Sequence, residues 1–451
     1  MIRSKLLLVP LVLSPITAAA QVTPPPVDPR VYEIAAAPSA ARIQADIRTL
    51  VSFGTRNTLS DTLSETRGIG AARRWIKAEM DRISQACGGC MEVSYMAAVQ
   101  EGPRFPRPVN VVNVVGVIRG TVHPDRYVIM SADIDSRASS GTDTVTDAPG
   151  ANDNASGMAG VLEAARVLTK YRFPTSIMLV GLSAEEQGLW GGQQVAKVAV
   201  ESGWDVVGVL NNDMIGNIQG IDGVVDNGSF RVFSEPYPAT AEESVLRAYR
   251  TTGGEVDGPS RQLARYVDRI TSTYFTNLDA KMIYRLDRFG RGGHHRPFND
   301  VGFPAVRIME THENYTRQHQ DVRTENGIEY GDVIEGVDSD YAARLTAVNA
   351  AVLASMAWAP PSPKNVQIGG AGQPSAILAW DAVDGPDLAG YRVYWRDTTA
   401  PQWEHSRFAG NVTEFTLQNV IIDNFLFGVA AVGKDGNESV VAFPTSQLRR
   451  R

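Results

Sequence analysis

What this chain has little of narrows it first. Its 43 Lys and Arg face 50 Asp and Glu, a formal charge of −7, so it has no cationic excess with which to neutralise a phosphate backbone. No nucleic-acid partner is expected. The one basic run, Arg449-Arg450-Arg451, reads as a solvated tail. Beyond the N-terminus no stretch reaches the ~18 apolar residues that a membrane span needs, and no cysteine stands just after residue 20 to take a lipid anchor. Ser156 does not sit in a Gly-x-Ser-x-Gly turn, and His312-Glu313 is followed by Asn314-Tyr315-Thr316 without a second histidine at helical spacing. A serine-nucleophile elbow and a His-Glu-x-x-His zinc helix are therefore both absent. Cysteine is limited to Cys87 and Cys90, a Cys-Gly-Gly-Cys that follows an amphipathic segment from about Ala71 to Ile83. Redox pairs draw a low thiol pKa from the start of a helix, whereas this pair sits at a helix end, which favours a structural disulfide.

Residues 1–20 read as a secretory signal: Arg3 and Lys5 are the charged start, Leu6 to Ile16 the apolar stretch and Ala18-Ala19-Ala20 the small-residue cleavage site. The expectation is an exported protein beginning at Gln21, periplasmic or secreted in a Gram-negative host. An extended Thr23-Pro24-Pro25-Pro26 follows, then helical periodicity around Ile34, Ile43, Ile47 and Leu50. Trp358-Ala-Pro-Pro-Ser-Pro363 marks a boundary, with a large domain over 21–358, a linker over 359–362 and a small all-β unit over 363–447. In the large domain, β-rich runs such as Tyr127 to Ala132, Ser176 to Leu182, Val206 to Leu210 and Ala305 to Met309 lack strict alternation. Strands of that kind are buried on both faces, which predicts an α/β fold with a mostly parallel central sheet flanked by helices.

Each run ends shortly before a candidate chemical group. Asp133 and Asp135 follow the first, Glu185 and Glu186 the second, Asp213 the third, and the segment to His319 the fourth. Asp153 lies in Gly150-Ala-Asn-Asp-Asn-Ala-Ser-Gly157. Taken singly, these have ordinary explanations, since Asn154 or Ser156 would serve as a helix N-cap and a Glu-Glu pair is usually wet surface. Taken together, carboxylates this dense need a cation to neutralise them, and open α/β sheets place their sites past the carboxyl ends of parallel strands. Metal-assisted hydrolysis is the chemistry that results.

The Gly150–Gly157 run, Ala184-Glu-Glu-Gln-Gly-Leu189, Asp213-Met-Ile-Gly216 and Arg296-Pro-Phe298 followed by Gly302-Phe-Pro-Ala-Val306 resemble the bridged di-zinc exopeptidases that include bacterial leucyl aminopeptidases and glutamate carboxypeptidases. The resemblance covers about residues 30–358. It implies two zinc ions, with Asp153 bridging, Glu186 and His319 on one ion, Asp133 and Asp213 on the other, and Glu185 as general base. Asp135 would orient the ligand before it, His295 would stand at the substrate wall, and Tyr315 would donate to a developing oxyanion. His312 is the rival to His319. One departure stands out, because the family has a histidine where this chain has Asp133. Aspartate also binds zinc, at ~2.0–2.2 Å, so one ion becomes the alternative to two, and manganese an alternative ion on the Asp133 side. Residues 363–447 resemble a fibronectin type III sandwich, with Trp380 and Tyr391-Arg-Val-Tyr394 as core; surface or carbohydrate contact is the role such a unit would add.

The resulting expectation is an exported metal-dependent aminopeptidase acting on a peptide or small amide. Carboxypeptidase and glutaminyl-cyclase-like chemistry are the rivals within the family. A catalytically silent binding protein is the rival outside it, and the retention of Glu185, which only catalysis requires, argues against that rival.

Overall fold

The computed structural model describes residues 23–448, so the signal-like segment with its cleavage site and the final arginines lie outside the described residues. The N-terminal periodicity folds as α1 (Pro29–Ala35), α2 (Ala40–Val51) and α3 (Gly68–Ala86), which bury Ile34, Ile43, Ile47 and Leu50. Cys87 caps the end of α3 and is disulfide-bonded to Cys90. Closing so short a loop removes little freedom from the unfolded chain. Replacing both cysteines by serine is expected to cost no more than about 2 kcal/mol in urea unfolding and to leave hydrolysis unchanged. A loss well above that would give the pair a larger role.

The central sheet comprises β1 (Met91–Gln100), β2 (Val109–Ile118), β3 (His123–Asp133), β4 (Thr175–Leu182), β5 (Asp205–Asn212), β6 (Ser229–Phe233), β7 (Asp279–Ile283) and β8 (Ala305–Glu310), in the order β1-β2-β4-β3-β5-β8-β6-β7. The middle, β4-β3-β5-β8, is parallel throughout, as is β6-β7. The β1-β2, β2-β4 and β6-β8 pairs are antiparallel. The apolar runs are thus the central parallel strands, covered on both sides. In β3, Val128, Met130 and Ala132 face one core, shared with α4 (Gly157–Leu168) and α9 (Ser339–Trp358), while Tyr127 and Ile129 face the other, which contains residues of α5 (Trp190–Glu201) and α8 (Arg296–Asp300). This is the two-residue pleat applied to a strand with no wet face.

Two further helices, α6 (Glu243–Thr252) and α7 (Pro259–Tyr274), lie between β6 and β7, and a small hairpin of β9 (Arg323–Glu325) and β10 (Ile328–Tyr330) follows β8. After α9 the chain forms seven short strands among the described residues: β11 (Gln367–Gly369), β12 (Ala376–Ala379), β13 (Leu388–Asp397), β14 (His405–Gly410), β15 (Glu414–Leu417), β16 (Phe425–Gly433) and β17 (Ser446–Gln447). They make two sheets, β15-β12-β11-β17 and β14-β13-β16, around a core that includes Trp380, Tyr391, Val393 and Phe427. This unit docks on the larger one through buried charge: Asp257, between α6 and α7, accepts from Arg265 of α7 and from Arg396 of β13.

Candidate active site

The parallel strands bring their carboxyl ends to one side of the sheet. Asp133 is the last residue of β3, Glu185 and Glu186 lie in the turn after β4, and Asp213 directly follows β5. Asp153 sits in the turn leading to α4, and buried polar groups build that turn. Asp332 accepts from the backbone amides of Asn152 (2.8 Å) and Asp153 (2.6 Å), Glu310 accepts from the Asn152 side chain (2.9 Å), and Arg56 donates to the Gly150 carbonyl (2.9 Å). Gly150 is required there, since its φ is 51° and a Cβ would come within 2.5 Å of Ser136 Cβ. His319 arrives on the loop after β8 with a φ of 55°.

Three of the expected groups converge. His319 Nε2 is 3.0 Å from Asp153 Oδ2 and 3.0 Å from Glu186 Oε1, and one ligand atom from each of the three lies within 4.8 Å of the others. Burial opposes charge on His319, but Glu186 and Asp153 outweigh it and raise its pKa to about 10. Two carboxylate oxygens and an imidazole nitrogen are zinc donors, and three protein ligands leave a fourth coordination position for reacting groups, as catalytic zinc sites require.

Beside the trio, Asp135 accepts from the amides of Glu185 and Glu186, both at 3.2 Å. Asp135 thus holds the Glu185-Glu186 turn, and not the preceding Asp133 as expected, because its carboxylate meets two free N–H groups in a turn that no helix satisfies. Burial above all, and Glu186 next, push the Asp135 carboxyl up to about 7.

Asp133 and Asp213 have partners outside the trio, although Asp213 lines the same cleft. Asp133 Oδ2 accepts from Asn154 Nδ2 at 2.9 Å, and its Oδ1 is 3.6 Å from His294 Nε2. Asp213 Oδ2 is 3.0 Å from Arg307 Nη2. His295, expected at the substrate wall, is completely buried, with Nε2 2.8 Å from the Leu286 carbonyl oxygen, and does not line the cleft of the trio. Tyr315 is half exposed on a neighbouring hollow with Arg231, Phe289 and Glu313, outside the cleft of the trio. His312 faces Asp222 (3.4 Å) and Asp226 (3.8 Å), away from His319.

The trio, Glu185 and Asp213 line a cleft of about 680 Å³ whose other walls include Trp190 and five arginines, 104, 137, 288, 291 and 296. Arg137 lies 3.6 Å from Glu186 and Arg288 2.8 Å from Glu313, whereas Arg104, Arg291 and Arg296 form no ion pair among the described residues. A larger hollow, about 850 Å³, lies between the end of α6 and the C-terminal sheets and contains none of these catalytic candidates. The residues that sequence reasoning missed are Arg307, Asp287, Asp332 and Arg56, and Arg307 hides in a β-rich run; His294, beside His295, stands where the family has an acidic residue.

A helix-covered sheet with a carboxylate–histidine trio and a neighbouring glutamate at its carboxyl edge defines a metal-dependent hydrolase. Residues 113–334, which carry every group from Asp133 to His319, match the profile of peptidase family M28. The chain is 43% identical over 408 residues to a probable zinc metalloprotease of Leptosphaeria maculans, covering 90% of this chain and 94% of that protein. It is 41% identical over 414 residues to another of Pyricularia oryzae, covering 90% and 82%. The chain belongs to peptidase family M28 and is a zinc metallopeptidase. Its fold is also that of the Legionella pneumophila LapA aminopeptidase, with a TM-score of 0.54 at 19% identity over 75% of this chain and 77% of that one.

Proposed function

We propose that this metallopeptidase is an exported aminopeptidase, with zinc held by Asp153, Glu186 and His319 and with Glu185 as the proton carrier. The observation that carries this is the position of Glu185, whose neighbour in sequence is a ligand and whose carboxylate lines the same cleft. Zinc bound at the trio would supply Lewis acidity to the scissile carbonyl and lower the pKa of the attacking water. Glu185 takes the proton from that water and delivers it to the leaving nitrogen. Asp135 keeps Glu185 and Glu186 in register, and Trp190 closes part of the cleft to solvent. The fold shared with an aminopeptidase and the N-terminal signal pattern support the specificity and the export.

A carboxypeptidase is the second reading, and one observation favours it: Arg104, Arg291 and Arg296, free of acidic partners, would receive a substrate carboxylate at the cleft. Peptides with a free amine and an amidated C-terminus should be cleaved from the N-terminus, and N-acylated peptides with a free carboxylate should not. The reverse order of rates transfers the assignment to carboxypeptidase. Glu186→Ala and Asp153→Ala are each expected to lose bound zinc by elemental analysis, and full zinc content in both would break the ligand assignment. We also propose the C-terminal sheets as a fibronectin type III-like unit.

A further inference from the structure

The family resemblance places a second ion on Asp133 and Asp213, and the surroundings of those two carboxylates differ from those of the trio. Arg307, on β8, is completely buried. Its Nη2 lies 3.0 Å from Asp213 Oδ2, and its Nη1 donates to both oxygens of Asp287 at 3.2 Å and to the Gly292 carbonyl at 2.7 Å. A guanidinium has five donors and no acceptor and is ordinarily always protonated, and Asp213 and Asp287 favour its charge further. Asp287 and the Gly292 carbonyl hold it in place beside Asp213.

Asp133, the residue that stands in place of histidine, has one oxygen engaged and the other, Oδ1, without a hydrogen-bond partner. Its Oδ2 is taken by Asn154, and its Oδ1 points at His294, whose two ring nitrogens have no hydrogen-bond partner. A divalent ion on Asp213 would lie against the Arg307 guanidinium, cation against cation in a buried place where screening is weakest. Its remaining ligand would have to come from the single oxygen Oδ1 of Asp133, since Oδ2 accepts from Asn154 and no histidine stands at that position.

We propose that the Arg307 guanidinium permanently supplies the positive charge that a second metal ion supplies in a two-metal peptidase, so that this chain works with one zinc, in the seat proposed above at Asp153, Glu186 and His319. Position 133 and position 307 then make one device: the nitrogen ligand is gone where the internal cation has arrived. Asp287 completes it by clamping the far side of the guanidinium, so that Arg307 presents Nη2 to Asp213.

Zinc per chain, measured by elemental analysis after equilibration with excess zinc and gel filtration, tests this without reference to activity. Wild-type protein is expected to hold one equivalent, and Asp133→His also one, because Arg307 still engages Asp213. Asp213→Asn should keep its one equivalent with an apparent zinc Kd within about threefold of wild type, since it loses an arginine partner and not a ligand. The double variant Asp133→His, Arg307→Met should rise to two. Two equivalents in wild type or in Asp133→His would overturn the inference, as would a folded double variant that stays at one. If the double variant does not fold, the stoichiometries of wild type and Asp133→His decide. Retention of one full equivalent in Glu186→Ala would instead overturn the seat itself, a result separate from the role of Arg307.

Discussion

Glu185→Gln is expected to lower turnover by roughly 10²–10⁴-fold while leaving zinc content and folding as they are. The substitution keeps the size and hydrogen-bonding reach of the side chain and removes only its capacity to accept a proton. The backbone at this position is held by Asp135 through an amide that any residue supplies, so the turn should survive. The Glu185 side chain makes no ion pair among the described residues, and its carboxylate faces the cleft rather than a structural partner. KM should change far less than kcat, because the carboxylate acts on the moving proton and not on the bound substrate. Near-wild-type turnover with full zinc content would remove Glu185 from the mechanism. Loss of zinc together with activity would make it a ligand instead.

The largest stability effect should come from a position far from the chemistry. Asp257 accepts from Arg265 Nη1 at 2.8 Å, from Gln262 Nε2 at 2.8 Å and from Arg396 Nη2 at 2.7 Å. All three charged side chains are almost inaccessible, at 0% exposure for Asp257 and 1% for each arginine. Asp257→Ala would leave two guanidiniums buried without a counter-charge, a loss expected to be about 3–5 kcal/mol. The exposed pair Arg247–Glu243, at 72% and 80% exposure, serves as control, since breaking an exposed pair should cost no more than about 1 kcal/mol. Because Arg265 belongs to the catalytic unit and Arg396 to the C-terminal sheets, the variant should also show earlier proteolytic cutting around residues 359–366 than wild type. Unfolding by urea measures the first effect and limited proteolysis the second. A change no larger than that of Arg247→Ala would mean that the two arginines find other partners and that the docking does not depend on Asp257.

The strands, the helices and the order of the chemical groups were legible in the one-dimensional pattern, for a physical reason. A strand buried on both faces must be apolar at nearly every position, so Tyr127 to Ala132 and Ser176 to Leu182 announce themselves, and the polar residues just past such runs are confined to the sheet's carboxyl edge. Asp153, Glu186 and His319 could be proposed as neighbours on that basis and on the family likeness, and the fold brings these three together. Two things depended on tertiary structure alone. Whether a carboxylate faces a cation seat or a buried arginine is set by side chains more than ninety residues away, as Arg307 is from Asp213, and a lone arginine within a β-rich run carries no sign of its partner. Whether a histidine lines a cleft or a core is likewise a matter of packing, since His295 and His319 differ by burial and not by any local signal. Local pattern determines which residues reach the edge of the sheet; the charges that meet there are decided only when distant segments close over them and exclude water.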